Sequence, residues 1–78
     1  MTADKLLKGG FALIESIIEP DLSQYCQDLG LLPGKKVQLL HKAPFGGPMA
    51  FQLGNTTISL RKDEAKNIKV RALAGEEN

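Results

Sequence analysis

The chain has 78 residues, of which 42% are hydrophobic and 24% charged, and its formal net charge is +1. That length holds one domain and one core, and building the core uses most of the apolar residues, so little is left for a deep catalytic cleft. The small net charge does not by itself point to nucleic acid, and the single cysteine, Cys26, excludes an internal disulfide and fits a reducing compartment.

Residues 1–10 read as a lead-in, with Leu6-Leu7 suited to strap onto a core and Gly9-Gly10 separating this segment from the next. Asp4 stands near the N-terminus and Glu15 interrupts the apolar run Phe11 to Ile18, so the start of the chain does not read as a signal peptide. No uncharged stretch is long enough to cross a bilayer, and the cytoplasm is the expected location. Phe11 to Ile18 is rich in β-formers between Gly and Pro, which predicts a strand.

A short helix over roughly 21–29 comes next, with Asp21 as its N-cap and Gln24 three residues on, in the capping-box spacing. Leu22, Tyr25, Cys26 and Leu29 fall on one face and are expected in the core. Gly30 stands where a left-handed residue ends a helix. Leu32-Pro33-Gly34-Lys35 fits a type II turn, in which Pro presets φ and Gly supplies a positive one.

Val37, Leu39 and His41 alternate with Gln38, Leu40 and Lys42, a second strand. The prolines and glycines of Ala43-Pro44-Phe45-Gly46-Gly47-Pro48 make a loop. Gly54-Asn55 between two apolar runs marks a two-residue hairpin that pairs Leu53 with Thr56, Phe51 with Ile58 and Met49 with Leu60. All six then share a face, so turn chemistry and hydrophobic pattern agree on register.

Arg61 to Lys66 suits a single helical turn, and Ile68, Val70 and Ala72 alternate with Lys69 and Arg71 in a last strand with a basic outer face. Residues 74–78 read as a solvated tail. The predicted fold is mainly β, a small five-stranded, partly open barrel over residues 11–73 with one short helix after the first strand. Charge is uneven along it: residues 35–71 carry eight Lys or Arg against only Asp63 and Glu64, whereas residues 1–34 carry two Lys against five acids.

Three blocks bear a family likeness: Leu29-Gly30-Leu31-Leu32-Pro33-Gly34-Lys35-Lys36-Val37, the Ala43–Pro48 loop, and Ile58-Ser59-Leu60-Arg61-Lys62-Asp63-Glu64-Ala65. In this order and spacing the chain resembles the FeoA family over about residues 11–72. The resemblance implies an SH3-like barrel and a role beside a membrane ferrous-iron transporter that bears a cytoplasmic GTPase domain. A similar domain ends iron-dependent repressors, where it comes after a helical DNA-binding part. Many relatives carry a basic residue in the first helix, whereas here it reads Asp21-Leu22-Ser23-Gln24-Tyr25-Cys26-Gln27-Asp28.

The residues argue for binding and not for catalysis. A transition-metal site needs three or four converging donors, and one His and one Cys do not supply them. His41 is therefore expected as an ordinary strand residue, Cys26 as a small buried hydrophobe, and no cofactor or resident metal is expected. No motif links Ser16, Ser23, Thr56, Thr57 or Ser59 to a base, and Gly46-Gly47 lacks the ending of a phosphate loop. A basic strip without exposed aromatics makes a poor single-strand binder, so no nucleic-acid partner is expected.

The strongest site candidate is Pro44-Phe45-Gly46-Gly47-Pro48. Prolines stiffen the loop, and Phe45, which has no partner in the hairpin register, either projects as an anchor or folds back to cap the barrel. Lys35, Lys36, Arg61 and Lys62 are secondary contact candidates, while Gly30, Pro33, Gly34, Gly54 and Asn55 are assigned to backbone geometry. The expected function is non-enzymatic docking on the cytoplasmic part of the transporter, without membrane insertion. The alternatives are an interaction module serving a metal-dependent regulator and a small RNA-binding barrel; weak self-association stays open.

Overall fold

The computed structural model describes residues 1–73; the tail at 74–78 lies outside the described residues. Five strands, β1 (Phe11–Ile17), β2 (Lys36–Lys42), β3 (Met49–Leu53), β4 (Thr56–Leu60) and β5 (Ile68–Ala72), form one antiparallel sheet in the order β4-β3-β2-β1-β5. Helix α1 (Pro20–Leu29) comes after β1 and the one-turn α2 (Lys62–Ala65) precedes β5. Among the described residues no helix is long and apolar enough to cross a membrane.

The hairpin forms in the expected register, with Leu53 opposite Thr56, Phe51 opposite Ile58 and Met49 opposite Leu60. Its positive φ falls on the first central residue, Gly54 (59°). This is the position where a II′-class turn places glycine.

Two irregularities bend the sheet toward closure. The register shifts between Ile14 and Ser16 in the β1–β5 pairing and between Leu39 and His41 in the β2–β3 pairing. Each extra residue kinks its strand and adds twist. The second shift also corrects the expected alternation of β2. Val37 and Leu39 are buried, but past Leu40 the phase flips and His41 is exposed. Lys42, which is also exposed, is the residue that stands opposite buried Met49, and its Nζ donates to the Asp4 carbonyl at 2.9 Å.

The start of α1 differs from expectation as well. Its N-cap is Glu19, whose carboxylate accepts from the amides of Asp21 (3.2 Å) and Leu22 (3.0 Å), and Pro20 occupies the first turn. Pro loses no bond there, because its missing N–H would be unpaired anyway. Leu22 and Cys26 are buried as expected, but Tyr25 is exposed and Leu29 only half-buried. The helix thus buries a narrow stripe, and Tyr25 lies on its flank toward α2, in a groove with Leu22, Asp63, Glu64 and Asn67. At the far end Gly30 takes φ 85°, its amide donates to the carbonyls of Cys26 and Gln27, and Leu31 folds back into the core.

One apolar cluster fills the barrel, with Phe51, Leu39, Met49, Leu60, Ile68 and Val70 at its centre. A 3-10 turn at Ala3–Lys5 places Ala3 and Leu6 in the same cluster, while Leu7 points to solvent. The N-terminus then runs along β5, bridging Thr2 to Lys69.

Candidate functional site

The loop between β2 and β3 is small and tightly tied. The Ala43 amide donates to the Pro48 carbonyl at 2.9 Å, and inside that closure the Gly47 amide donates to the Pro44 carbonyl at 3.2 Å. The two residues at the tip, Phe45 and Gly46, take φ 60° and 73°. A turn with both central residues left-handed favours Asn, Asp and Gly, and for an L-residue such as Phe it costs about 1–2 kcal/mol. A Cβ on Gly47 would stand 2.7 Å from the Ala43 Cβ and 3.2 Å from the Pro44 oxygen, so the closure has no room for a side chain there.

The ring that this turn carries is fully in solvent: Phe45 is 103% exposed, against 79% for Leu7 and 56% for Ile18. Of the two sequence readings, the one in which Phe45 folds back over the barrel is therefore excluded. An apolar ring displayed from an unfavourable backbone conformation returns nothing to folding. Strain of that kind concentrates at functional positions.

Beside the loop lies an open groove of about 240 Å³ lined by Gly46, Gly47, Pro48, Arg61, Lys62 and Asp63. The hairpin register explains the juxtaposition, because pairing Met49 with Leu60 sets Pro48 next to Arg61. The Arg61 amide donates to Glu64 Oε1 at 2.7 Å, which opens α2 and leaves the Arg61 and Lys62 side chains in solvent. Phe45, the glycines and two cations thus share one end of the barrel.

Lys35 and Lys36 are elsewhere. They line a separate open groove of about 590 Å³ with Gly30, Leu32, Leu53 and Gly54, at the hairpin tip. Four steps of β3 separate the two ends, roughly 13 Å at about 3.3 Å per residue. The Lys36 Nζ sits 5.2 Å from the Phe11 ring centroid, a cation–π contact that occupies the only other Phe outside the core.

Between α1 and α2 an open groove of about 360 Å³ is lined by Glu19, Asp21, Asp63 and Glu64 beside Tyr25, but Glu19 and Glu64 are engaged with helix-end amides. Cys26 is fully buried and its thiol is pushed above its ordinary pKa, chiefly by desolvation and further by the Glu64 carboxylate. Among the described residues no three His, Cys, Asp or Glu side chains converge on a point that would hold a metal ion. A void of about 10 Å³ within the core leaves no room for a ligand.

Sequence reasoning missed Leu7 as an exposed apolar residue, and it missed the left-handed backbone of Phe45. The composition Pro-Phe-Gly-Gly-Pro was a signal for a turn, though not for which residue carries the positive φ.

The family model described as "FeoA domain" matches residues 1–72. Among solved structures, the FeoA protein of Chlorobium tepidum is 34% identical with a TM-score of 0.88, covering 96% of this chain and 72% of that one. A FeoA-like protein of Clostridium acetobutylicum is 30% identical with a TM-score of 0.85, covering 94% and 86%. The FeoA of Stenotrophomonas maltophilia, solved with zinc and described as a procaryotic SH3 domain protein and candidate activating factor of ferrous-iron transport, is 30% identical with a TM-score of 0.80, covering 91% and 89%. A manganese-dependent transcriptional repressor shares the fold at 19% identity. The comparison with curated proteins returned no match.

Proposed function

The chain belongs to the FeoA family, and on that premise we propose that it is a non-enzymatic accessory protein of ferrous-iron transport. It docks on the cytoplasmic part of the membrane transporter and alters that protein's assembly or activity. The docking surface is the Pro44–Pro48 loop with Arg61 and Lys62 beside it, and Phe45 is the anchor.

One observation carries the assignment of the surface: the Phe45 ring is fully exposed on a left-handed turn that costs folding energy. Aromatic anchors of this kind concentrate binding energy when they enter a pocket, and a pre-set turn reduces the entropy lost on docking. Arg61 and Lys62 add orientation and encounter rate more than affinity. Lys35 and Lys36 belong to the other end of the barrel and lie outside this surface.

The reading is tested by co-purification from detergent-solubilised native membranes with tagged wild type and Phe45→Ala. Recovery of a ferrous-iron transporter with wild type and its depletion with the variant are the expected results. No transporter with a demonstrably folded wild type would overturn the role, and equal recovery with both would overturn the surface.

A further inference from the structure

The sheet has two edges, and they are treated differently. The outer side of β5 is covered by the chain's own start: Thr2 bridges to Lys69, the Val70 amide donates to the Met1 carbonyl at 2.9 Å, and the Met1 amine donates back to the Val70 carbonyl. Among the described residues the outer side of β4 has no such cover. Thr56, Ile58 and Leu60 face Leu53, Phe51 and Met49 across the hairpin. In the alternation of an antiparallel ladder, the N–H and C=O groups of Thr57 and Ser59 therefore point away from β3. Among the described residues those groups have no backbone partner, and both residues are exposed.

Open edges are normally blunted by a lysine, a proline, a bulge or an inward-pointing charge. The strand Thr56-Thr57-Ile58-Ser59-Leu60 has none of these, and its register with β3 is unbroken. We propose that two copies of this chain pair antiparallel through their β4 edges about a two-fold axis at Ile58. Thr57 of each copy stands opposite Ser59 of the other, and the two such pairs exchange four backbone hydrogen bonds.

A second copy is the occupant that this edge fits. Thr57 and Ser59 are evenly placed about Ile58, so the two-fold brings each outward donor onto an outward acceptor, as an isologous contact requires. The facing side chains are a Thr–Ser pair, a favourable cross-strand combination. An uncharged strand meets itself without repulsion, and it also carries no charge by which to select a different chain. The strand is short, so the dimer is weak and concentration-dependent. The contact leaves Phe45 free and is independent of the docking reading.

The test is sedimentation equilibrium of the whole chain up to millimolar concentration, together with amide hydrogen exchange. Wild type is expected to dimerise, with exchange at the Thr57 and Ser59 amides slowing as concentration rises. Thr57→Lys, which adds an edge charge but keeps every N–H, and Ser59→Pro, which removes one outward donor at a position an edge strand tolerates, are each expected to weaken the dimer at least tenfold. Thr57→Lys carries the test alone if Ser59→Pro does not fold. A chain that stays monomeric throughout overturns the proposal. So does a dimer equally strong in folded Thr57→Lys, a dimer lost in Phe45→Ala instead, or a β4 edge protected only by an extended segment of another protein.

Discussion

The Gly47 amide donates to the Pro44 carbonyl at 3.2 Å, and this bond closes the turn that swings the Phe45 ring out into water. The two residues between donor and acceptor are both left-handed. One of them is glycine, for which that conformation is free; the other is phenylalanine, for which it is not. Phe45→Ala removes the ring and keeps the strained backbone, whereas Phe45→Gly removes both, so the difference between the two variants isolates the strain.

Replacing Phe45 by Gly should raise stability by about 1 kcal/mol, through relief of the left-handed backbone less the added freedom of the unfolded chain. Phe45→Ala should be close to neutral, because the ring buries nothing. Urea denaturation of the three proteins checks both. A loss of more than about 2 kcal/mol in Phe45→Ala, the scale of a buried aromatic truncation, would mean that the ring packs on the barrel.

Gly47→Ala tests the closure itself. Its Cβ would meet the Ala43 Cβ at 2.7 Å, and the neighbours can yield only by opening the Ala43–Pro48 contact. A cost of about 1–3 kcal/mol is expected, in the range of overpacking, with chemical-shift changes centred on residues 43–48. A variant that is both stable and unshifted would contradict the loop geometry.

At the end of α1, Gly30→Val should be destabilising by at least about 1 kcal/mol. Gly30 takes φ 85°, a conformation hostile to a β-branched residue. The space is not the obstacle, since the nearest atom to an added Cβ, Leu53 Cδ2, is 3.5 Å away. Unchanged thermal melting would refute the conformational argument.

Burial, and after it the Glu64 carboxylate, pushes the Cys26 thiol above its ordinary pKa. Over that window the folded protein keeps a proton which the unfolded chain has released. The stability this group contributes is full below the unfolded thiol pKa and declines as pH rises through the folded value. Urea midpoints measured upward from about pH 7, past the ordinary thiol value near 8.5, should show a fall in wild type that Cys26→Ala lacks. Parallel profiles would show that the thiol is not linked to folding.

Much of this architecture was legible in the residues because independent cues agreed. Gly54-Asn55 and the alternation of Met49, Phe51, Ile58 and Leu60 both demanded the register observed, and Gly30 stood where the apolar repeat of α1 stopped. Where the reading failed, either a neighbouring residue or the packing of the sheet decided between options that composition left open. Asp21 and Glu19 are both capable caps, and Pro20 between them decided for Glu19. Tyr25 has the spacing of a core residue, but the sheet covers only the Leu22–Cys26 stripe. The bulge at Leu40 leaves no mark in a regular alternation, so the swap of His41 and Lys42 was invisible. Among the contact candidates, composition alone could not show that Arg61 and Lys62 share an end with Phe45 while Lys35 and Lys36 do not.

The decisive measurement is the affinity of purified wild type, Phe45→Ala and a Lys35→Ala/Lys36→Ala double variant for the detergent-solubilised ferrous-iron transporter at one fixed salt concentration. Loss of an anchor worth about 2 kcal/mol predicts a roughly thirtyfold weaker Kd for Phe45→Ala, with the double variant within about twofold of wild type, the scale of a peripheral charge. The reverse ranking, with the lysine pair decisive and Phe45 dispensable, would place the docking surface at the other end of the barrel and contradict the account.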